Sequence, residues 1–167
     1  MTLSVLSGGV NIFSTSNISS VSTATISTLT SSQLSQLDTS QIKALSSTQI
    51  AAISTKIITA LSSEQIAAFA SSQATGFQAS QLNAIASSLT SVLTYLRNDV
   101  ISNLDTSQIT QLSTKTLATL STAQVKAFTS DEVAALTSTQ ISGLSAAAIN
   151  GMGTADIVLI TTDAIKG

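Results

Sequence analysis

The hydrophobic positions of the chain recur every eight residues, most clearly in the segment LDTSQIKALSSTQIAAI at residues 37–53. Leu37, Leu45 and Ile53 are eight residues apart, and so are Ile42 and Ile50. We call each unit an octad and number its positions from this large apolar residue. Position 1 is large and apolar in all nineteen octads, and position 6 is Ile, Leu or Val in seventeen. Position 5 is most often Gln, and position 8 is usually small.

A period of eight residues fits neither a long helix nor a plain strand. In a continuous α-helix, eight residues leave an angular drift of about 80° per octad, so no apolar stripe could persist along the array. In a strand, position 1 and position 6 would face opposite sides of the sheet. A turn inside each octad could remedy this in a β-solenoid, and the Thr, Ile and Val content suits that alternative. The absence of Pro and the small number of Gly residues do not.

The octad agrees better with the start of a helix. In Leu45-Ser46-Ser47-Thr48-Gln49-Ile50, Ser46 is placed as the N-cap and Gln49 as its capping-box partner. Leu45 and Ile50 are then the two residues of a hydrophobic staple. Position 2 is Ser, Thr or Asp in fourteen of the nineteen octads, and these are preferred N-cap residues. The sequence therefore predicts one short helix per octad.

Helices of five or six residues are not stable alone in water, so each must bury positions 1 and 6 against its neighbours. This is the organisation of a solenoid, in which every unit leans on the next. We therefore expect an all-α repeat solenoid, with the β-solenoid as the alternative. The small residue at position 8 should let adjacent coils approach closely. We expect two octads, or sixteen residues, per superhelical coil.

The octads form two arrays, one over residues 1–85 and one over residues 104–167, within one continuous structural unit. Ile85 and Leu104 are nineteen residues apart, which breaks the period. Between them, Leu89, Val92, Leu93, Leu96 and Val100 follow the spacing of an amphipathic helix. Residues 86–103 are therefore expected to form one longer connecting helix, which either absorbs the shift in register or serves as a docking helix or hinge.

Composition excludes several classes of function. The chain has no Cys and no His, so thiolate sites and the commonest general base and metal ligand are absent, and no cofactor is expected. Its net charge is −2 and its six Lys and Arg residues are scattered singly, which argues against nucleic-acid binding. No apolar run approaches the ~20 residues of a membrane span. We expect a non-enzymatic protein.

The ends of the arrays are apolar, although solenoids normally carry polar caps. An apolar end that complements the opposite end of another copy makes a head-to-tail contact, which yields open filaments when it does not close. We therefore expect a homo-oligomer or filament. The predicted assembly interface consists of Val5, Val10, Ile12 and Phe13 at one end and Ile157, Val158, Leu159 and Ile160 at the other. The alternative is that these residues cap their own array.

Two further patterns suggest other sites. Ser or Thr fills position 3 in seventeen of the nineteen octads, beside the hydroxyls of position 2. These residues serve capping and solubility, or they form hydroxyl ladders that bind a repetitive ligand such as ice or a glycan. Asp131 and Glu132 form the only adjacent acidic pair. Glu132 takes the place of the usual Gln and is expected to complete a capping box, with a cation site as the alternative.

The octads LDTSQIKA, LSSTQIAA, LSSEQIAA, LSTAQVKA and LTSTQISG resemble the octapeptide arrays of large bacterial secreted and surface proteins of the adhesin-like and repeats-in-toxin type. The resemblance covers residues 13–85 and 104–150. It implies a structural role at the bacterial cell surface or outside the cell, in adhesion or in a matrix, with no catalytic residues. The start, MTLSVLSGGV, has no basic region followed by a long apolar run, so we expect export without an N-terminal signal peptide.

Overall fold

The computed structural model describes residues 18–88 and 92–160, and within them the chain forms short helices and no strand. The helices are α1 (Thr23–Ser27), α2 (Ser31–Ser35), α3 (Thr39–Ala44), α4 (Ser47–Ala51), α5 (Thr55–Ile58), α6 (Ser63–Ala68), η1 (Ser71–Gly76), α7 (Ala79–Ser87), η2 (Val92–Tyr95), α8 (Asn98–Ile101), α9 (Thr106–Thr110), α10 (Thr114–Thr119), α11 (Thr122–Val125), α12 (Ser130–Ala135), α13 (Ser138–Gly143), α14 (Ala146–Gly151) and α15 (Thr154–Leu159). Here η denotes a 3₁₀ helix. Each helix except η2 begins at octad position 3, which confirms the predicted all-α repeat solenoid.

Capping explains why each helix restarts in the same register. Ser46 accepts a hydrogen bond from the Gln49 amide, and the Gln49 side chain accepts one from the Ser46 amide. The staple residues Leu45 and Ile50 are both buried. Each preferred cap stabilises its helix by roughly 1 kcal/mol relative to Ala. Full capping boxes also form at Thr30–Gln33, Asp38–Gln41, Ser62–Gln65, Asp105–Gln108, Ser121–Gln124, Thr129–Glu132 and Thr137–Gln140.

Each coil of the solenoid contains three helices, so the expectation of two was wrong. Helix α1 packs on α4, α2 on α5 and α3 on α6, and this spacing recurs along the chain. Helices α1 and α4 begin at Thr23 and Ser47, so one coil takes 24 residues. The eight-residue pattern fixes where each helix starts but does not encode the angle between successive helices. That angle determines how many helices close a coil.

The helices of successive coils stack in three columns, one for each helix of a coil. Residues at positions 1 and 6 of their octads form one apolar core that runs from Ile18 to Ile160. The prediction for position 8 is confirmed where that residue is Gly. A Cβ added to Gly76 would lie 2.5 Å from the Ser47 carbonyl oxygen of the preceding coil. A Cβ added to Gly143 would lie 2.9 Å from the Thr114 carbonyl oxygen. Successive coils therefore touch through their backbones at these points, and a methyl group would have to push them apart.

The connecting segment differs from the predicted single helix over 86–103. The longer helix is α7, which has nine residues and ends at Ser87, where the predicted helix was to begin. Residues 92–95 form η2, and α8 begins a new octad helix at Asn98. The three extra residues of the register break therefore extend α7. Helix α7 packs against α10, and the core continues on both sides.

No helix within residues 18–88 and 92–160 has the length and apolar character needed to cross a membrane.

Candidate assembly surface

Buried side chains at octad position 5 connect each coil to the one before it. The Oε1 atom of Gln81 accepts a hydrogen bond of 2.8 Å from the Gln78 amide at the start of α7. Its Nε2 atom donates to the carbonyl oxygens of Ile50 and Ile53, at 2.8 and 2.7 Å. These two carbonyls flank the turn that follows α4. One amide group therefore caps its own helix and holds the preceding coil in place.

The same arrangement recurs throughout the described part of the chain, and we call these residues the inter-coil glutamines. They are Gln49, Gln65, Gln73, Gln81, Gln108, Gln124 and Gln140. Their acceptors lie 31 and 28 residues earlier, except for Gln108, whose acceptors lie 34 and 31 residues earlier. The three additional residues equal the register break, so the same contact between coils forms on both sides of the break.

Within the described chain, position 5 is the octad position at which polar or charged side chains are buried. The ten buried polar or charged residues of the described chain all occupy position 5: Gln41, Gln49, Gln65, Gln73, Gln81, Gln108, Thr116, Gln124, Glu132 and Gln140. A buried amide needs partners for both its oxygen and its nitrogen, and a capping box uses only the oxygen. A Glu at position 5 would complete the capping box equally well. The recurrence of Gln instead was therefore the sequence feature that could have indicated a hydrogen-bond donor contact.

Thr116 shows how the solenoid compensates where position 5 is too short to reach the preceding coil. Asn83 of α7 bridges the two coils from the other side. Its Oδ1 accepts hydrogen bonds from the Ser113 amide and the Thr116 hydroxyl. Its Nδ2 donates to the Gln111 carbonyl oxygen at 3.1 Å. Both coils thus remain connected by a side-chain amide.

The C-terminal end of the described solenoid exposes apolar side chains on α15. Val158 is 82% exposed, and Ile157 and Leu159 are 37% and 38% exposed. Ile160, which was predicted to belong to the same surface, is buried at 8% exposure and packs in the core. We define the α15 patch as Ile157, Val158 and Leu159. The predicted residues of the opposite end, Val5, Val10, Ile12 and Phe13, lie outside the described residues.

Comparison with other octads shows that the α15 patch is unusual. Ile157 occupies position 6, and its equivalents Ile50, Ile58 and Ile66 are completely buried. Helix α15 packs on α12 of the preceding coil, and no later helix of the described chain packs on α15. Val158 occupies position 7, where earlier octads carry polar or small residues, and Leu159 occupies position 8, where most of them do. The patch thus places exposed apolar side chains on the last described helix. Position 7 is also exposed inside the array, as at Ala67, so Ile157 is the residue whose exposure reflects that no later described helix packs on α15.

The hydroxyls of position 2 are engaged in capping. The Ser22, Ser113 and Ser145 side chains each accept a hydrogen bond from the amide three residues later, at 3.1 Å. Helix capping therefore explains the hydroxyl side chains at position 2.

A groove of about 290 Å³ opens between α7 and α9, where the register break disturbs the regular stacking. Its lining includes Gln78, Ser80, Asp105, Ser107 and Gln111. These groups offer hydrogen-bond donors and acceptors with one carboxylate.

Asp131 and Glu132 lie on the first turn of α12, as the sequence suggested. Glu132 completes the capping box, since its Oε2 accepts a hydrogen bond of 2.5 Å from the Thr129 amide. Burial raises the pKa of the Glu132 carboxyl, opposed by the Thr129 amide and hydroxyl, and nearby Asp105 and Asp131 raise it further. Within the described ranges, no group of three or more acidic side chains is placed to hold a metal ion.

Comparison with known families gives a match to the family described as the ALTTAQ repeat, at residues 36–71 and 101–138. Those six letters correspond to position 8 of one octad followed by positions 1–5 of the next, as in Ala44-Leu45-Ser46-Ser47-Thr48-Gln49. The match supports a repeat array in both halves of the chain. No curated protein and no solved structure matches this chain.

Proposed function

We propose that this chain is a structural, non-enzymatic subunit that assembles head to tail through the ends of its solenoid. The observation that carries the proposal is the exposure of the α15 patch at an end where a further coil would stack. Burial of apolar area drives most protein association, and an exposed apolar patch on a soluble domain typically marks an interaction site. The occupant that fits a solenoid end is the opposite end of a second copy.

The way coils join within one chain supports this proposal. Each coil buries its apolar positions against the next and presents backbone carbonyls to the next coil's side chains. A second copy that stacks on α15 would continue the same pattern. Because such a contact joins two different surfaces, it does not saturate at a dimer and leads to open filaments.

The setting outside the cell, at a bacterial surface or in a matrix, forms part of the same proposal. It is supported by the resemblance of the octads to surface-protein arrays and by the hydroxyl-rich, charge-poor exterior.

The test compares the wild-type chain with Val158→Asp by sedimentation velocity over a range of concentrations. Val158 is 82% exposed, so the substitution should leave the fold intact. We expect concentration-dependent assemblies for the wild type and a monomer for Val158→Asp. The matched control is Ala67→Asp, which adds the same charge at the same octad position of α6, also exposed but inside the array. It should assemble like the wild type.

Three results would contradict the proposal. A wild-type chain that stays monomeric at all concentrations would remove its basis. Undiminished assembly of Val158→Asp would show that the α15 patch is not the contact. Equal loss of assembly in both variants would point to a general effect of charge.

A binding role is the second candidate, favoured by the polar groove between α7 and α9 and by the exposed hydroxyl rows. Its ligand would be a glycan in the groove or ice on the hydroxyl faces. Thermal hysteresis measurements and a glycan-binding screen test it, since an assembly subunit should show neither activity.

A further inference from the structure

Glu132 stands out among the buried side chains at position 5. Its residue is 2% exposed, and its Oε2 takes the capping role that Oε1 plays in a glutamine. Its Oε1 is buried and has no hydrogen-bond partner within the described residues. A buried polar atom without a partner is rare in native proteins, and it calls for a specific cause.

The register of the solenoid indicates what this oxygen faces. Gln124 and Gln140, one octad on either side, donate from Nε2 to carbonyls 31 and 28 residues earlier. For Glu132 the equivalent carbonyls are those of Ile101 and Leu104. The Oε1 atom therefore occupies the place from which an amide nitrogen donates to two carbonyl oxygens. A carboxylate has no hydrogen to donate there, whereas a protonated carboxyl group has one.

We propose that Glu132 is a proton-dependent link between coils: protonated at Oε1, it donates to the corner formed by the Ile101 and Leu104 carbonyls, and its deprotonation removes that link. The proton is exchanged with solvent water, so no other reactant is required. The link joins α12 to the preceding coil, beneath the terminal helix α15.

The charges around Glu132 favour the protonated form. Two of the described helices pack against α12. Asp105 is the N-cap of α9, and α15 carries Asp156, which accepts a hydrogen bond from Ser130. Asp131 is the other acid on α12. All of these groups are acidic, and neither α9 nor α15 contains a Lys or Arg. Burial raises the pKa of Glu132 most, Asp105 and Asp131 raise it further, and the hydrogen bonds from Thr129 oppose them.

The raised pKa of Glu132 determines how the stability of the fold changes with pH. When the folded-state pKa lies above the unfolded value, the protonated form stabilises the fold. That contribution is fully present below the ordinary glutamate pKa of about 4.3 and is lost as the pH rises through the raised value. The inter-coil contact at α12 should therefore weaken as the pH rises above the ordinary titration range of glutamate.

The experiment measures the melting temperature of the wild type and Glu132→Gln from pH 4.5 to 8. Glutamine supplies a permanent donor, so the variant should melt at least about 2–4 °C higher than the wild type at pH 7.5. The difference should shrink as the pH falls. The control Glu64→Gln makes the same change at an exposed position on α6, where hydrogen bonds lower the glutamate pKa, and it should not reproduce this trend.

A second measurement follows the titration of the Glu132 carboxyl group directly. Carboxyl ¹³C chemical shifts of the folded wild-type chain should show Glu132 titrating above the ordinary glutamate pKa. The proposal is overturned if Glu132 titrates at the ordinary value. It is also overturned if the stability difference between the wild type and Glu132→Gln is independent of pH.

Discussion

Replacement of Gln81 by Met tests the inter-coil glutamines most directly, because Met has similar length but cannot form the hydrogen bonds. Three hydrogen bonds are lost: one from the Gln78 amide and two to the carbonyls of Ile50 and Ile53. A typical net contribution of ~1 kcal/mol per bond gives a loss of about 3 kcal/mol. The buried groups left without partners can increase this cost, and the apolar Met side chain offsets part of it.

The assay is urea unfolding followed by circular dichroism at 222 nm, with amide hydrogen exchange as a local readout. A loss of about 3 kcal/mol corresponds to a melting temperature lower by roughly 6–12 °C in a chain of this size. The Gln78 amide should lose protection from exchange before the amides of distant coils do. The control is Gln111→Met, because Gln111 is exposed and its side chain bonds only to Ser107.

We expect the control to change stability by less than about 0.5 kcal/mol. If Gln81→Met and Gln111→Met destabilise the chain equally, the two long-range bonds of Gln81 do not hold the coils together. The proposed role of position 5 would then be refuted.

Three other substitutions test the same architecture. Gly76→Ala should cost about 1–3 kcal/mol in urea unfolding, because its Cβ would lie 2.5 Å from the Ser47 carbonyl oxygen and the coils would have to separate; a neutral result would contradict the close approach. Asp38→Ala removes the acceptor for the Gln41 amide and should cost about 1 kcal/mol, measured in the same way. Gln81→Glu should create a pH dependence with the sign proposed for Glu132, so that the variant loses stability from acidic to neutral pH; a variant equally stable at both would argue against the donor role of position 5.

The local structure could be predicted from the sequence because its causes are local. The N-cap at position 2, the partner at position 5 and the staple between positions 1 and 6 all lie within one octad. Ser46, Gln49 and Ile50 therefore identify the start and the buried side of α4 without any knowledge of the fold. The same reasoning correctly placed Glu132 in a capping box.

The contacts between coils could not be predicted in this way. The helices per coil depend on the turn angle after residues such as Ile50, and the hydrophobic pattern is the same for two helices or three. Similarly, the nitrogen of Gln81 has its partners 31 and 28 residues away, and that separation follows only from the coil length. Residues 92–95 form η2 and a separate octad helix begins at Asn98, so the apolar spacing in this segment does not mark one helix.

Octad position also explains which of the predicted residues at the C-terminal end are exposed. Composition distinguishes Val158 from the polar or small residues of the same octad position, so its exposure could be suspected. Ile160 has the same apolar character but occupies position 1, which points into the core in every described octad. Position in the octad decides exposure more strongly than hydrophobicity does.

Electron microscopy of the purified wild-type chain at near-physiological salt tests the central claim, that copies stack end to end. Within residues 18–88 and 92–160, one column contains six stacked helices, namely α1, α4, η1, α8, α11 and α14. At a helix spacing of 8–10 Å, each subunit should extend a filament by roughly 50–60 Å along its axis. Filaments with this repeat, absent in Val158→Asp, are the predicted result. Dispersed monomers, or assemblies whose repeat is unrelated to the length of the solenoid, would contradict the account.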